Sequence, residues 1–304
     1  MTEFRSGFAC LAGRPNVGKS TLTNALVGDK VAITSSRPQT TRHRIRGIVH
    51  REDAQLVLVD TPGLHRPRTL LGERLNDLVR ETFLDVDVIG LCLPADERIG
   101  PGDRFIAAEL TELRAGGRRR PVVVIVTKAD LVPRARLAEQ LVAASELLDA
   151  DDVIPVSAVD GFQVAELADV FVGHLPPGPP LYPAGEITDE PVDVLVAELV
   201  REAALEGVRD ELPHSLAVVV EEIAPREGRS AADPLTDVRV SVFVERDSQK
   251  AIVIGRGGER LRDVGTRSRV AIAEVLGTRV HLDLRVKVAK DWQRDPKQLR
   301  RLGF

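Results

Sequence analysis

The chain has 304 residues, 43% of them hydrophobic, which is enough for one large core or two medium ones, and two domains is the better expectation. It contains no membrane-length apolar run, and Met1 to Phe8 lacks the basic-then-apolar pattern of a secretory signal, so a soluble cytoplasmic protein is expected. The net charge of −4 conceals a split: residues 250–304 carry 14 Lys and Arg against 6 Asp and Glu, leaving 28 against 40 for the rest, which points to nucleic acid contacted by the C-terminal part. The two cysteines, Cys10 and Cys92, each lie in a short apolar run, and the histidines share no ligand spacing with cysteines or carboxylates. A disulfide framework and a transition-metal site are therefore not expected.

Along the first half, Gly7 to Ala12, Gln55 to Val59, Val86 to Leu93, Pro121 to Val126 and Asp152 to Val156 read as buried strands with helical patterns between them. That alternation predicts a doubly wound, mostly parallel α/β sheet with ligands at the carboxyl ends of its strands.

The first of those ends carries Gly13-Arg-Pro-Asn-Val-Gly18-Lys19-Ser20, between a strand and the helical pattern Thr21 to Val27. In this context the spacing is that of a P-loop. Gly13 and Gly18 let successive amides turn around phosphate, the helix N-terminus at Thr21 adds positive potential, Lys19 reaches the β- and γ-phosphates, and Ser20 ligates Mg²⁺. Next comes a polar stretch, Thr34 to Arg46, in which Thr41, beside Thr40, is the candidate for a second hydroxyl on Mg²⁺. Asp60-Thr-Pro-Gly63 then follows a strand directly, so Asp60 is expected to hold the metal through water. Gly63 is expected to approach the γ-phosphate by its backbone and to flex when that group leaves. Lys19, Thr41 and Gly63 are the candidate catalytic residues.

Base identity is expected from Thr127-Lys128-Ala129-Asp130, after the strand ending at Val126. A carboxylate at Asp130 accepting two donors from the guanine edge rejects adenine, since the wrong base would leave a buried charge unpaired at about 1–3 kcal/mol. The Lys128 stem can cover one ring face, and Ser157-Ala158, after the last strand, can offer a backbone amide to the guanine oxygen. Leu64 follows Gly63 where many GTPases place a water-orienting glutamine, so slow turnover is expected.

Residues Pro176 to Pro191 hold six prolines and are expected to form an interdomain linker. The boundaries that follow are 1–175 for the nucleotide domain, 176–191 for the linker and 192–304 for an RNA-binding domain with a C-terminal tail. Beyond the linker the pattern gives a helix from Val192 to Glu206, strands at Ser215 to Glu222, Arg239 to Glu245 and Ile252 to Ile254, two helical segments, and a strand at Arg279 to Val288. The Gly-x-x-Gly loop Gly255-Arg256-Gly257-Gly258 is expected to end a strand and start a helix. The α-β-β-α-α-β order matches a type II KH domain, an α+β fold. Ile254, Gly255, Arg256, Gly257, Gly258, Arg260 and Leu261 are the candidate RNA-binding residues, the glycines admitting a sugar-phosphate backbone and the groove taking about four nucleotides. Aromatic residues make up 3% of the chain, which disfavours RNA modules that work by base stacking.

The four nucleotide elements resemble the translation-factor-related GTPases, in which the base motif is Asn-Lys-x-Asp. Thr127 stands where Asn ties the base loop to the P-loop, so weaker binding with retained specificity is expected. Joined to a C-terminal KH domain, and with Pro38-Gln39-Thr40-Thr41-Arg42-His43-Arg44 and the tail from Val280-His281-Leu282 to Leu302-Gly303-Phe304, the chain resembles the Era family of bacterial GTPases over nearly its whole length. The resemblance implies a monomer that assembles the small (30S) ribosomal subunit and binds the 3′ end of 16S ribosomal RNA when GTP-bound, with peripheral association with the inner face of the membrane. It also implies Asn16 as a ligand for K⁺. An extension around Ala224 to Leu235 is expected to lengthen a loop between KH strands. Two alternatives stay open at this point: a GTP-binding RNA chaperone with negligible turnover, and a GTPase of tRNA modification.

Overall fold

The computed structural model describes residues 3–34, 41, 42, 44–65, 67, 69–116, 119–206, 215–229 and 233–304. Pro38, Gln39, Thr40 and His43 of the polar stretch, and Ser230 to Ala232 of the extension, lie outside the described residues. The chain divides into two compact units, Met1–Arg66 with Arg74–Asp189, and Pro67–Glu73 with Glu190–Phe304.

The first unit is built on a six-stranded sheet of β1 (Arg5–Ala12), β2 (Ile45–His50), β3 (Ala54–Asp60), β4 (Val88–Pro94), β5 (Val122–Thr127) and β6 (Asp152–Pro155), in the order β2-β3-β1-β4-β5-β6. All pairs are parallel except β2 with β3. Successive β1 residues serve opposite faces: Cys10 and Ala12 join one core with Ile89, Leu91 and Val124, while Ala9 and Leu11 join the other with Leu22, Ile125 and Phe171. Helices α1 (Lys19–Val27), α2 (Leu70–Asp85), α3 (Pro101–Ala115), α4 (Arg134–Ser145) and α5 (Val164–His174) alternate with the strands.

Strand β2 was not expected from the pattern. Arg46 and His50 interrupt its apolar run, yet Ile45 and Ile48 are fully buried. Gly47 is required where it sits, because a Cβ there would meet Val27 Cγ2 at 2.6 Å.

The proline-rich stretch folds onto this sheet. Ile48 N donates to Ile187 O at 2.9 Å, and His50 Nε2 lies 2.7 Å from Glu186 O. Gln55, 2% exposed on β3, accepts from the amides of Leu181 and Tyr182 and donates to Tyr182 O, at 2.6, 2.9 and 2.9 Å. Asp189 Oδ2 accepts from Tyr182 Oη and from Arg46 Nη1, both at 2.7 Å. A stretch whose prolines lack amide donors is thus held by a buried side chain that meets the few donors it has.

The second unit has a three-stranded sheet, β7 (Ala217–Pro225), β8 (Leu235–Val244) and β9 (Arg279–Val288), in that order, with β8 antiparallel to β7 and parallel to β9. Among the described residues it also has helices α6 (Val192–Leu205), α7 (Asp247–Ile254), α8 (Glu259–Leu276) and α9 (Pro296–Arg301). One correction concerns Ile252–Ile254, which are the last turn of α7 and not a strand. The β-branched run suggested a strand, but a helix has already started upstream, where Gln249 Oε1 accepts from the amides of Glu245 and Arg246 at 2.9 and 3.0 Å. Val253 is buried while Ile252 is half exposed, as a helix face requires. The Gly-x-x-Gly loop therefore joins two helices.

The end of the chain is pinned to this unit. Trp292 is fully buried, donates from Nε1 to Ser215 O at 2.9 Å and stacks on Phe304 with ring centroids 5.5 Å apart.

Replacing Gln55 with Leu leaves two linker amides without their acceptor, each costing about 1–3 kcal/mol. The expected outcome is a lower melting temperature together with new protease cleavage within residues 176–189, measured by calorimetry and limited proteolysis.

Candidate functional site

At the carboxyl end of β1 the chain turns through three positive-φ residues, Gly13 (149°), Asn16 (65°) and Gly18 (96°). A Cβ at Gly13 would meet Cys92 O at 2.8 Å, so β4 presses on the loop from below. The turn leads into α1, whose first residues are Lys19, Ser20 and Thr21. Lys19 is 6% exposed, and its Nζ donates to Gly13 O and Arg14 O at 3.1 and 3.0 Å. Burial pushes this ammonium below the ordinary lysine range, opposed by the charge of Asp60. The Cys92 thiol beneath it, raised by burial to about 12, is neutral at pH 7. A loop of inward-turning amides around a desolvated cation is a phosphate cradle.

Three oxygens meet beside it. Ser20 Oγ and Thr41 Oγ1 donate to Asp60 Oδ2 at 2.8 and 2.9 Å and lie 3.1 Å from each other. Adjacent ligands of an octahedral Mg²⁺, at about 2.0–2.1 Å from the ion, are about 2.9 Å apart, so these hard oxygens have the spacing and the chemistry for that ion. Among the described residues there is no cluster of three His, Cys, Asp or Glu side chains that could hold a metal. The remaining ligands would then come from water and phosphate. The segment after Asp60 is braced on β1: Thr61 Oγ1 donates to Leu11 O at 2.8 Å and Leu64 N to Gly13 O at 3.3 Å. A Cβ on Gly63 would meet Pro15 N at 2.5 Å, so only glycine brings this backbone against the cradle. Leu64 is 2% exposed and belongs to the core.

The other end of the cleft is a cavity of about 440 Å³ whose lining includes Asn16, Gly18, Thr21, Thr127, Lys128, Asp130 and Ala158. Lys128 adopts φ 57°, which turns the chain so that the exposed Asp130 borders the cavity. The Asp130 carboxylate makes no hydrogen bond or ion pair among the described residues. Ser157 is fully buried and its amide is taken by Phe162 O at 3.0 Å, so it backs the cavity and leaves Ala158 as the lining residue. Thr127 Oγ1 donates to Val17 O at 2.6 Å, so the tie between base loop and P-loop persists with a hydroxyl in place of an amide.

Sequence reasoning missed the cavity's apolar walls, Leu131 and Val159, both well exposed. Exposed apolar residues directly after each base-reading segment were the available signal. It also missed the fixing of Arg14, whose guanidinium binds Asp103 and Glu97 at 2.7 and 2.8 Å and is thereby drawn toward α3.

In the second unit the loop Gly255-Arg256-Gly257-Gly258 has all three glycines at positive φ, 74°, 61° and 78°. Arg256 is exposed with no ion pair among the described residues. A cavity of about 570 Å³ adjoins the loop, lined by Gly258, Leu261, Arg262, Gly265, Arg269 and His281 among others. Arg262, Gly265 and Arg269 recur at helical spacing from Gly258, a signal the sequence contained. Ile254 and Leu261 are partly buried and pack on the KH core. Arg260 turns the other way: its guanidinium donates to the carbonyls of Ala204 and Glu206 at 3.0 and 2.7 Å, closing the end of α6.

A P-loop fold with a hydroxyl-and-carboxylate metal corner and a base pocket lined by a free carboxylate, followed by a Gly-x-x-Gly α+β unit, defines a guanine-nucleotide-binding KH protein. A family model described as 50S ribosome-binding GTPase matches residues 8–128, and a KH domain model matches residues 211–293. GTPase Era of Mycolicibacterium paratuberculosis and of Mycobacterium tuberculosis are each 68% identical over 305 residues, covering 100% of both chains. Two crystal structures superpose over 99% of each chain at 34% identity: Era in complex with MgGDPNP and nucleotides 1506–1542 of 16S ribosomal RNA, TM-score 0.91, and an Aquifex aeolicus Era variant bound to GDP and AlF4−, TM-score 0.90. The chain belongs to the GTPase Era family and is a GTPase with a C-terminal KH domain. Spanning the whole chain, this membership separates it from the tRNA-modification GTPases.

Thr127→Val removes the donor to Val17 O with little change in volume. GTP and GDP affinities should fall together by about 5–30-fold, about 1–2 kcal/mol, as measured by fluorescent nucleotide titration, and the melting temperature of the free protein should fall as well, since buried Val17 O loses its donor.

Proposed function

We propose that this GTPase binds the 3′ region of 16S ribosomal RNA through its KH groove in a nucleotide-dependent manner and acts in assembly of the 30S subunit. The single observation that carries the RNA reading is the Gly-x-x-Gly loop, with its three left-handed glycines and an exposed Arg256 beside an open groove. The complex of the 34%-identical Era with a 16S fragment supports it. Gly255, Gly257 and Gly258 let phosphates approach the backbone, Arg256 supplies charge, and Ile254 and Leu261 support the groove. Arg260 acts on this site indirectly, by holding α6 against the loop's first helical turn.

In the nucleotide site, Gly13, Gly18 and the amides of Ser20 and Thr21 receive the phosphates, and Lys19 gives its buried charge to the β- and γ-groups. Ser20 and Thr41 would hold Mg²⁺ by their hydroxyls and Asp60 would hold it through water, and the ion would supply charge neutralisation on the transferring phosphoryl group. Gly63 senses the γ-phosphate by its backbone. Asp130 accepts the guanine donors, Lys128 covers the ring, and the Ala158 amide meets the guanine oxygen with Ser157 behind it. Leu64 has no group to orient water, so turnover rests on positioning and charge, and it is slow. Asn16, held in a left-handed turn at the cradle's rim, is the K⁺ ligand.

The protein works as a monomer in the cytoplasm, and its contact with the membrane is peripheral. Among the described residues no helix is long and apolar enough to cross a bilayer.

A ligand shifts a conformational equilibrium only by its differential affinity, so RNA should bind about 5–150-fold tighter with a GTP analogue than with GDP, by filter binding. Equal affinities would remove the switch. Gly258→Asp should abolish binding in both states while the protein still folds, since nothing lies within 4 Å of the added Cβ and aspartate tolerates a left-handed backbone. Hydrolysis at saturating GTP should be faster in K⁺ than in Na⁺; equal rates would take Asn16 out of its role.

A further inference from the structure

The hydroxyl of Thr41 meets Asp60 Oδ2 at 2.9 Å, and β2 pairs with β3 from Ile45, opposite Asp60, onward. Arg44 stands directly before that pairing and three residues after Thr41. Its guanidinium reaches α2: Nη2 donates to Leu78 O at 3.2 Å and to Glu81 Oε2 at 2.7 Å, and Nη1 lies 3.6 Å from Asp85 Oδ2. Leu78, Glu81 and Asp85 are spaced i, i+3, i+7, so they form one stripe along the helix.

The same helix holds a second edge of the site. Leu75, Val79 and Phe83 bury its core face, and Val79 and Phe83 share a cluster with Leu64. Asn76, 3% exposed, donates from Nδ2 to His65 O at 2.8 Å. Gly63 and Leu64 immediately precede His65, so α2 fastens both the segment bearing Gly63 and the segment that delivers Thr41.

The Arg44 pairs are poorly suited to stabilising the fold. The side chains of Glu81 and Asp85 are 68% and 69% exposed, and pairs that open to solvent contribute little to folding. A guanidinium is nevertheless well defined in direction when a helix carbonyl and two carboxylates take its donors, because those donors form a planar fork. What the contacts fix is a position.

We infer that Arg44 is a positioning residue for GTP hydrolysis: by fastening to α2 it sets the Thr41 hydroxyl against the Gly63 edge, which α2 holds through Asn76. The inference rests on the reading of Thr41 as a Mg²⁺ ligand. With Leu64 in place of a water-orienting side chain, an error in the relative placement of these two edges goes uncompensated.

The test compares the full-length parent with R44Q, R44K, E81Q/D85N and R44Q/E81Q/D85N, and takes R80Q as the control, because Arg80 lies on the same helix and pairs with Asp77 and Glu109. Expected for R44Q are a kcat lower by about 10–100-fold, a KM for GTP and an affinity for GDP within about threefold of the parent, and a melting temperature lower by no more than about 3 °C. R44K, which keeps a cation without the fork, should recover part of the loss. E81Q/D85N should lose less than R44Q, since Leu78 O still accepts, and the triple variant should be no slower than R44Q. Independently of turnover, hydrogen exchange of the nucleotide-free protein should quicken in the peptide from Thr41 to Ile48 in R44Q and not in R80Q. Parental turnover or unchanged exchange in R44Q overturns the inference, as does a triple variant slower than R44Q by the whole loss of E81Q/D85N. An equal fall in R80Q also overturns it, by making the effect a general loosening of α2. Thr41→Ala separates this from the reading beneath it: parental kcat there sinks the metal-ligand role of Thr41, whereas a slow T41A beside a parental R44Q sinks only the role of Arg44.

Discussion

The buried ammonium of Lys19 sets the terms for the nucleotide site. It is held by two loop carbonyls, and among the described residues no carboxylate stands at hydrogen-bonding distance from it. Neutral carbonyls stabilise a desolvated charge only in part, as its lowered pKa shows. An anion of high charge density placed in the loop would complete its pairing. The cradle is thus built around an interaction that the protein alone leaves unfinished, and phosphate at a helix N-terminus is a group of the charge that would finish it.

Everything else in the first unit can be understood as holding that unfinished site open. Arg14 lies next to Gly13 and carries a cation of its own. Asp103, 1% exposed and itself fixed by the amide of Gly100, takes the guanidinium aside. Thr127 ties the base loop to Val17, so the phosphate and base ends move as one piece. Gly63 has no room for a side chain against Pro15, and this makes the γ-phosphate edge sensitive to small backbone shifts. A short way further along the chain, Leu71 N donates to Gln293 O at 3.1 Å within the second unit. The second unit takes in Pro67–Glu73, which follow closely on Gly63 in the chain.

The legibility of the sequence follows the same physics. Where chemistry requires one residue type at one spacing, as from Gly13 to Ser20, at Asp60 to Gly63 and at Lys128 to Asp130, the residues could be singled out as candidates in advance, because glycine, lysine and aspartate have few substitutes in such roles. The continuous apolar strands were legible for a similar reason, since burial on both faces leaves no polar position to confuse the period. Strand β2 was not, because it lies at the sheet edge and mixes Arg46 and His50 into its apolar run. Ile252–Ile254 misled because three β-branched residues in a row favour a strand by local preference, while the capping of α7 by Gln249 and burial of Val253 decide for helix. Local preference yields to tertiary context where the segment is short.

Charge was legible as a total and illegible as a surface. The excess of Lys and Arg after residue 250 indicates a polyanionic partner, but composition cannot separate a cation that faces Asp237 from one that faces solvent. Only the fold makes that distinction, and it divides the basic block into arginines that stabilise the sheet and cations that point outward. A surface cation of the second kind contributes almost nothing to folding, and like charges on one turn of α9 repel one another.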